Sequence, residues 1–397
     1  MAGRGASLAT PAHCRSRALS CFGGVMNLTA TWSERLDALL PELIELRRHL
    51  HAHPELSGEE HQTAALIAGD LRQAGWRVRE GVGRTGVVAD LGPEQGPKLG
   101  LRVDMDALPI EEQTNLPYAS LRQGVMHACG HDLHSTVGLG VAKLLAAEPY
   151  LPVGMRLLFQ PAEEIAQGAR WMREAGATDG LQALFGLHVF PSLPVGSVGL
   201  RSGSLTAAAG ELEIEINGQA GHGARPHQSV DAIWIASRVV TGLQEAISRR
   251  LDALHPVVVS FGRIEGGKAF NVIADQVTLL GTVRCLSNDL HDHLPRWIEE
   301  TVRALCEGFG ATATVRYRCI APPVDNDIRL TALLERCAIE QLGPDQVLRL
   351  EQPSLGAEDF AELIRDVPGM MFRLGVAGPE GCAPLHNGHF LPDERCL

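Results

Sequence analysis

Apolar positions recur at helical spacing from about residue 33 to 53, at Leu36, Leu39, Leu40, Leu43, Leu46 and Leu50. A second helical stretch is expected over about 59–74. Short β-rich runs follow at 87–91, 99–103, 155–159 and 183–189, with helical patterns between them at 135–147 and 168–175. Strands alternating with helices predict an α/β fold: a mixed sheet, at least partly parallel, with helices on both faces. In such sheets ligands bind beyond the carboxyl ends of strands.

The pattern changes near residue 206. Residues 211–217 alternate polar and apolar, as a half-buried strand does. A helix over 229–249, strands at 257–264 and 276–284, a helix over 289–309 and a strand at 312–317 complete a β-α-β-β-α-β order, that of a small split βαβ unit. After Pro322 and Pro323 the chain is expected to rejoin the first unit. The expected domains are therefore a tail over 1–32, a catalytic domain over 33–205 and 321–397, and an inserted α+β lid over 206–320.

Composition narrows the field. At 397 residues the chain is long enough for two cores. A formal net charge of -12 argues against nucleic acid or an anionic membrane as partner. No apolar run approaches the roughly 20 residues of a membrane helix. Nine irregularly spaced cysteines do not read as a disulfide framework and point to a reducing cytoplasm. The first 25 residues carry arginines but no acidic side chain; they read as a disordered tail or an early start ahead of Met26, with a transit peptide as the alternative.

Metal-binding groups concentrate in five segments: His127-Ala-Cys129-Gly-His131-Asp132-Leu-His134, Pro161-Ala-Glu163-Glu164, Gly186-Leu-His188, Gly356-Ala-Glu358-Asp359, and Leu385-His386-Asn387-Gly-His389. The first three follow or end expected strands. A thiolate and an imidazole flanking a glycine can converge on one ion if the backbone turns tightly. Taken singly, each segment has a plain reading as core or solvated surface; together they do not. Cys, His and Glu ligands suit zinc, and also manganese, cobalt or nickel. A structural zinc site would show close Cys/His pairs in a closed shell, whereas these candidates are dispersed and leave a spare carboxylate.

The strings RVDMDALPI, MHACGHDLH, FQPAEE, GLHV, AGHGARPH, FNVIAD, GTVR, GAEDF and PLHNGHF, running from residue 102 to 390, resemble the dinuclear-metal aminoacylase/carboxypeptidase family. The branch they resemble is that of hippurate hydrolase and the indole-acetyl-amino-acid amidohydrolases. The resemblance implies a catalytic domain with an inserted lid, a homodimer formed through that lid, and two divalent metal ions. It implies Cys129, His131, Glu164, His188 and His386 as ligands, Glu163 as general base, and Asp104 and Asp106 as supports of the site. It implies His222 as a lid residue that binds the substrate carbonyl or carboxylate, and Asn271 as a further substrate contact. Arg284 and Arg225 are candidates for pairing with a substrate carboxylate, with a structural ion pair the plainer reading of Arg284. His127, His134, His227 and His389 read as orienting or surface residues. Ala220 stands where the family more often has a second glycine, and Asn387-Gly388 departs from the usual sequel to the C-terminal histidine.

The expected activity is hydrolysis of the amide of an N-acyl-amino acid, a small substrate bearing a carboxylate. Dipeptidase, carboxypeptidase or hydrolytic deaminase chemistry on the same metals is the alternative. A non-catalytic binding protein is disfavoured because Glu163 and all five ligand candidates are retained.

Overall fold

The computed structural model describes residues 29–397, so the expected tail lies almost wholly outside the described residues. The opening helix spans Thr29–Ala52, starting within the last positions assigned to that tail. The sheet of the catalytic domain has eight strands in the spatial order Arg77–Val82, Gly86–Leu91, Gly154–Gln160, Lys98–Asp104, Leu181–Pro194, Gly369–Ala377, Val198–Leu200 and Val347–Arg349. The central four, from Gly154–Gln160 to Gly369–Ala377, are mutually parallel, and Gly86–Leu91 runs antiparallel to its neighbours. The mixed sheet matches the expectation.

Both faces of the sheet are covered. Val87 and Ala89 pack with Ile67, Leu71 and Leu139 from the helices His61–Gln73 and His131–Ala146. Val88, between them, points the other way and packs with Met172 and Phe360 from the helices Gly168–Glu174 and Phe360–Leu363. A strand buried on both faces cannot alternate, which is why Val87, Val88 and Ala89 read as one apolar run.

The lid is a four-stranded antiparallel sheet in the order Val257–Gly266, Gln276–Cys285, Ala208–Asn217 and Thr312–Ala321. The helices Ala232–Arg250 and Asn288–Glu307 cover one face, enclosing Leu212, Ile214, Ile216, Val239, Leu279 and Ile298. The other face carries cross-strand charge pairs, among them Arg316 with Glu213 and Arg318 with Glu211. The β-α-β-β-α-β order is present as expected, inserted between the two stretches of the catalytic domain.

Two differences bear on the site. The helix expected over 135–147 begins at His131, so this histidine is its first residue. The strand expected to end near His188 continues to Pro194, and His188 pairs with Arg373 in its interior. The neighbouring Lys98–Asp104 and Gly154–Gln160 strands end level with each other at Asp104 and Gln160.

Candidate metal centre

Two functional segments leave the sheet at the level ends of neighbouring parallel strands. Lys98–Asp104 delivers Asp104, and Gly154–Gln160 runs into Pro161-Ala162-Glu163-Glu164. Gly130 makes the turn into the His131–Ala146 helix at φ 84°, and a Cβ there would lie 2.5 Å from Cγ2 of Val189, so glycine is required for conformation and for space. His386 has φ 60° and its N–H donates to the Ala128 carbonyl at 2.8 Å, which draws the C-terminal motif against Cys129. Ala162 and Ala166, flanking the two glutamates, have φ 53° and 51°. Left-handed backbone at non-glycine residues is costly and collects where surrounding structure enforces it.

The side chains form two overlapping sets. Donor atoms of Cys129, His131 and His188 lie within 4.8 Å of one another, and so do those of Cys129, Glu164 and His386. Cys129 Sγ is 3.4 Å from His188 Nε2, His131 Nε2 is 3.9 Å from Glu164 Oε1, and His386 Nε2 is 3.3 Å from Glu164 Oε2. A tetrahedral ion with ligands at about 2.0–2.3 Å holds its donors roughly 3.5 Å apart. Nε2 of His131 and Oε1 of Glu164 are buried without a hydrogen-bond partner. Buried polar atoms are rarely orphaned, and one of these two stands in each donor set. The residues fit a pair of divalent ions.

Hydrogen bonds behind the donors fix their orientation. His131 Nδ1 meets Asp106 at 3.2 Å, and Asp106 also accepts from the Ser57 hydroxyl at 2.7 Å and from the Glu164 backbone N–H at 3.1 Å. His188 donates from Nδ1 to the Val189 carbonyl at 2.7 Å, leaving Nε2 for a ligand. His134 lies between Asp104 and the Val189 N–H, a supporting position. His127 is buried nearby with both ring nitrogens unpartnered.

Glu163 lies against a second carboxylate cluster, its oxygen within 4.8 Å of donors on Glu358 and Asp359. Arg102, fully buried, holds that cluster through Asp104 at 2.9 Å, Glu358 at 3.2 Å and Asp359 at 3.4 Å, and donates to Gln160 at 2.8 Å. Nothing in the sequence singled out Arg102: one arginine within a β run reads as solvent-facing, and its partners Glu358 and Asp359 are distant along the chain.

Burial, then Glu358, Asp359 and Glu164, push the Glu163 carboxyl well above the usual carboxylate range. Burial also lifts Asp359, to about 8, against the opposing pull of Arg102. Burial lowers His188 and His134 to about 4, so both rings are neutral donors at pH 7. For His131, burial is outweighed by Asp104 and Cys129, and the ring is held well above its ordinary value.

The lid candidates are elsewhere. His222 and Asn271 are adjacent in space: Val272 pairs with His222 in a two-stranded ribbon, and the Gly223 N–H donates to the Asn271 carbonyl at 2.9 Å. Both are exposed, as are Arg225 and His227. Arg284 is half-buried on the lid sheet, where Nη1 donates to the Thr282 hydroxyl at 2.7 Å and the Val283 carbonyl at 3.1 Å. No hydrogen bond or ion pair joins any of these to the metal-ligand cluster among the described residues. His389 is exposed beside Gln113.

The profile of Peptidase family M20/M25/M40 matches residues 100–396. A protein described as a probable hydrolase of Synechocystis sp. is 54% identical over 364 residues, covering 90% of this chain and 93% of that protein. The N-acetyl-L-cysteine deacetylase of Bacillus subtilis is 39% identical over 368 residues, covering 91% of this chain and 86% of that enzyme. Among solved structures, a dinuclear metal-binding peptidase of the M20 family from Bacillus subtilis superposes with a TM-score of 0.78 at 37% identity, covering 91% of this chain and 94% of that one. With that match spanning most of its length, the chain belongs to the M20/M25/M40 peptidase family and is a metal-dependent amidohydrolase.

Proposed function

We propose that the protein cleaves the amide of an N-acyl-amino acid, releasing a carboxylic acid and an amino acid. The observation that carries this reading is Glu163, a buried carboxylate that lies within 4.8 Å of donors on His131 and Glu164, and of Glu358 and Asp359, but is not grouped with Cys129, His188 or His386. Cys129, His131 and His188 would hold one divalent ion, and Cys129, Glu164 and His386 the other, with the thiolate shared. Bound divalent ions lower the pKa of coordinated water and polarise a carbonyl.

Glu163 takes the proton of the attacking water and delivers it to the leaving nitrogen. Its raised basicity, imposed by burial and by Glu358 and Asp359, suits a group that must accept a proton and then release it. Asp104 and Asp106 hold the imidazoles in place. His222 stabilises the developing oxyanion after lid closure, or arrives on the lid of a second copy. Asn271, beside it, contacts the substrate. Arg284 remains a candidate for the substrate carboxylate through the nitrogens not engaged by Thr282 and Val283. The deacetylase relative acts on an N-acetyl-amino acid, which supports a small acyl-amino-acid substrate over a long peptide. A lid-mediated homodimer fits the open edge of the Val257–Gly266 strand and the exposed Phe270 and Ile264.

The test is a substrate panel of N-acetyl, benzoyl, indole-acetyl and long-chain acyl-amino acids with dipeptides alongside. The protein is stripped with chelator and reloaded with zinc, manganese, cobalt or nickel. Metal-restored cleavage of acyl-amino acids supports the proposal; cleavage of dipeptides alone replaces it with a peptidase reading.

A further inference from the structure

The two chain crossings to the lid are flanked by a short antiparallel pairing within the catalytic domain, Gly203–Ser204 with Asp325–Asn326. One ion pair spans the junction: Arg365 Nη2 stands 3.5 Å from Asp292 Oδ1, and among the described residues no other ion pair links residues 208–320 to the catalytic domain. Asp292 is in the first turns of the lid helix Asn288–Glu307. Its neighbour His291 is buried and lies 3.3 Å from Cys319 Sγ, while Asp292 and Arg365 are themselves exposed.

Glu362 stands behind Arg365. It is 3% exposed, and its carboxylate meets Arg173 at 3.2 Å, Arg365 at 3.8 Å and Arg170 at 4.0 Å. A buried carboxylate needs such partners, and losing one is far more costly than losing an exposed pair. The elements involved also carry the reactive cluster. Arg170 and Arg173 are on the helix that begins four residues after Glu164. Glu362 is on the helix that Asp359 precedes, its N–H donating to the Asp359 carbonyl at 2.8 Å. The two helices are cross-tied, with Ala169 N–H donating to Asp359 Oδ2 at 3.0 Å.

We propose that Glu362 is a positioning residue: through Arg365 it engages Asp292 and so biases the angle between the lid and the catalytic domain. The anchor is rooted in the helices that follow the Glu163-Glu164 and Glu358-Asp359 segments along the chain, so the lid contact and the reactive carboxylates share a support. An exposed ion pair alone contributes little; here Arg365 also faces the buried carboxylate of Glu362, at 3.8 Å.

The test is a charge exchange. Asp292→Arg and Arg365→Asp are made singly and together in the full chain, and each is measured by small-angle X-ray scattering, metal content, thermal midpoint and kcat/KM. Each single variant is expected to broaden the distribution of overall dimensions and to lower kcat/KM by roughly fivefold or more at unchanged metal content. The double variant is expected to recover both to within about twofold of wild type. Glu362→Gln should reproduce the single-variant behaviour; if it does not fold, the charge exchange decides alone. Singles that lose thermal stability but keep wild-type scattering and kcat/KM, or a double variant as impaired as its parents combined, would overturn the proposal. The kinetic arm rests on the amidohydrolase reading. The scattering arm does not, so failure of the one is distinguishable from failure of the other.

Discussion

The metal centre and the His222 ribbon are built in opposite ways. Around the centre almost every group is buried and held by others: Asp106 engages His131, Ser57 and the Glu164 backbone, and Arg102 ties Asp104 to Glu358 and Asp359. The ribbon with His222 and Asn271 is exposed and held by a few backbone bonds. The difference separates two tasks. Groups that must hold charged ions at fixed spacing are placed on rigid strand ends, where neighbours set their geometry and basicity. On the proposed function, the groups of the ribbon meet substrate late, after lid closure.

The contrast yields graded predictions. Chelator treatment should abolish turnover, with recovery on reloading, and Cys129→Ala should be inactive because it removes the donor common to both sets; measurable cleavage by a metal-free protein would break the comparison at its root. His222→Ala should lower kcat by about 10²–10³, the range for losing one oxyanion donor, while metal content and thermal midpoint stay at wild-type values because the ring is exposed. Asp106→Asn should weaken metal affinity by about 10–100-fold, as loss of the partner that orients His131 does; titration with a chromogenic chelator would read this. The smallest effect is expected for Asn271→Ala, a KM raised several-fold with kcat near wild type, because one exposed contact contributes roughly 1 kcal/mol. A kcat loss as deep as that of His222→Ala would move Asn271 into the chemistry.

The same division governs how far the sequence could be read. The metal segments were legible because each is short and local: a thiolate, a glycine and an imidazole within three residues, or two glutamates after a strand and a proline. The lid order was legible because half-buried antiparallel strands alternate. The Arg77–Val82 strand was not, since most of its side chains are exposed and no apolar period marks it. The Ile328–Leu342 helix was not separated from its surroundings either; only Leu330 and Thr331 are buried along it, so its apolar face is narrow. Arg102 escaped because its role exists only once residues 102, 358 and 359 meet, a contact no local pattern records. Glu362 escaped for the same reason, as an ordinary acidic residue in sequence two of whose arginine partners, Arg170 and Arg173, are supplied by the fold.

The central claim is that Glu163 does the proton transfer and does not hold metal. Its most direct test is Glu163→Gln, with bound metal measured by elemental analysis and turnover measured on the best acyl-amino-acid substrate. The account predicts metal content equal to wild type and turnover lower by about 10²–10⁴-fold, the contribution of a positioned general base. Turnover that survives, or metal lost in step with activity, would contradict it.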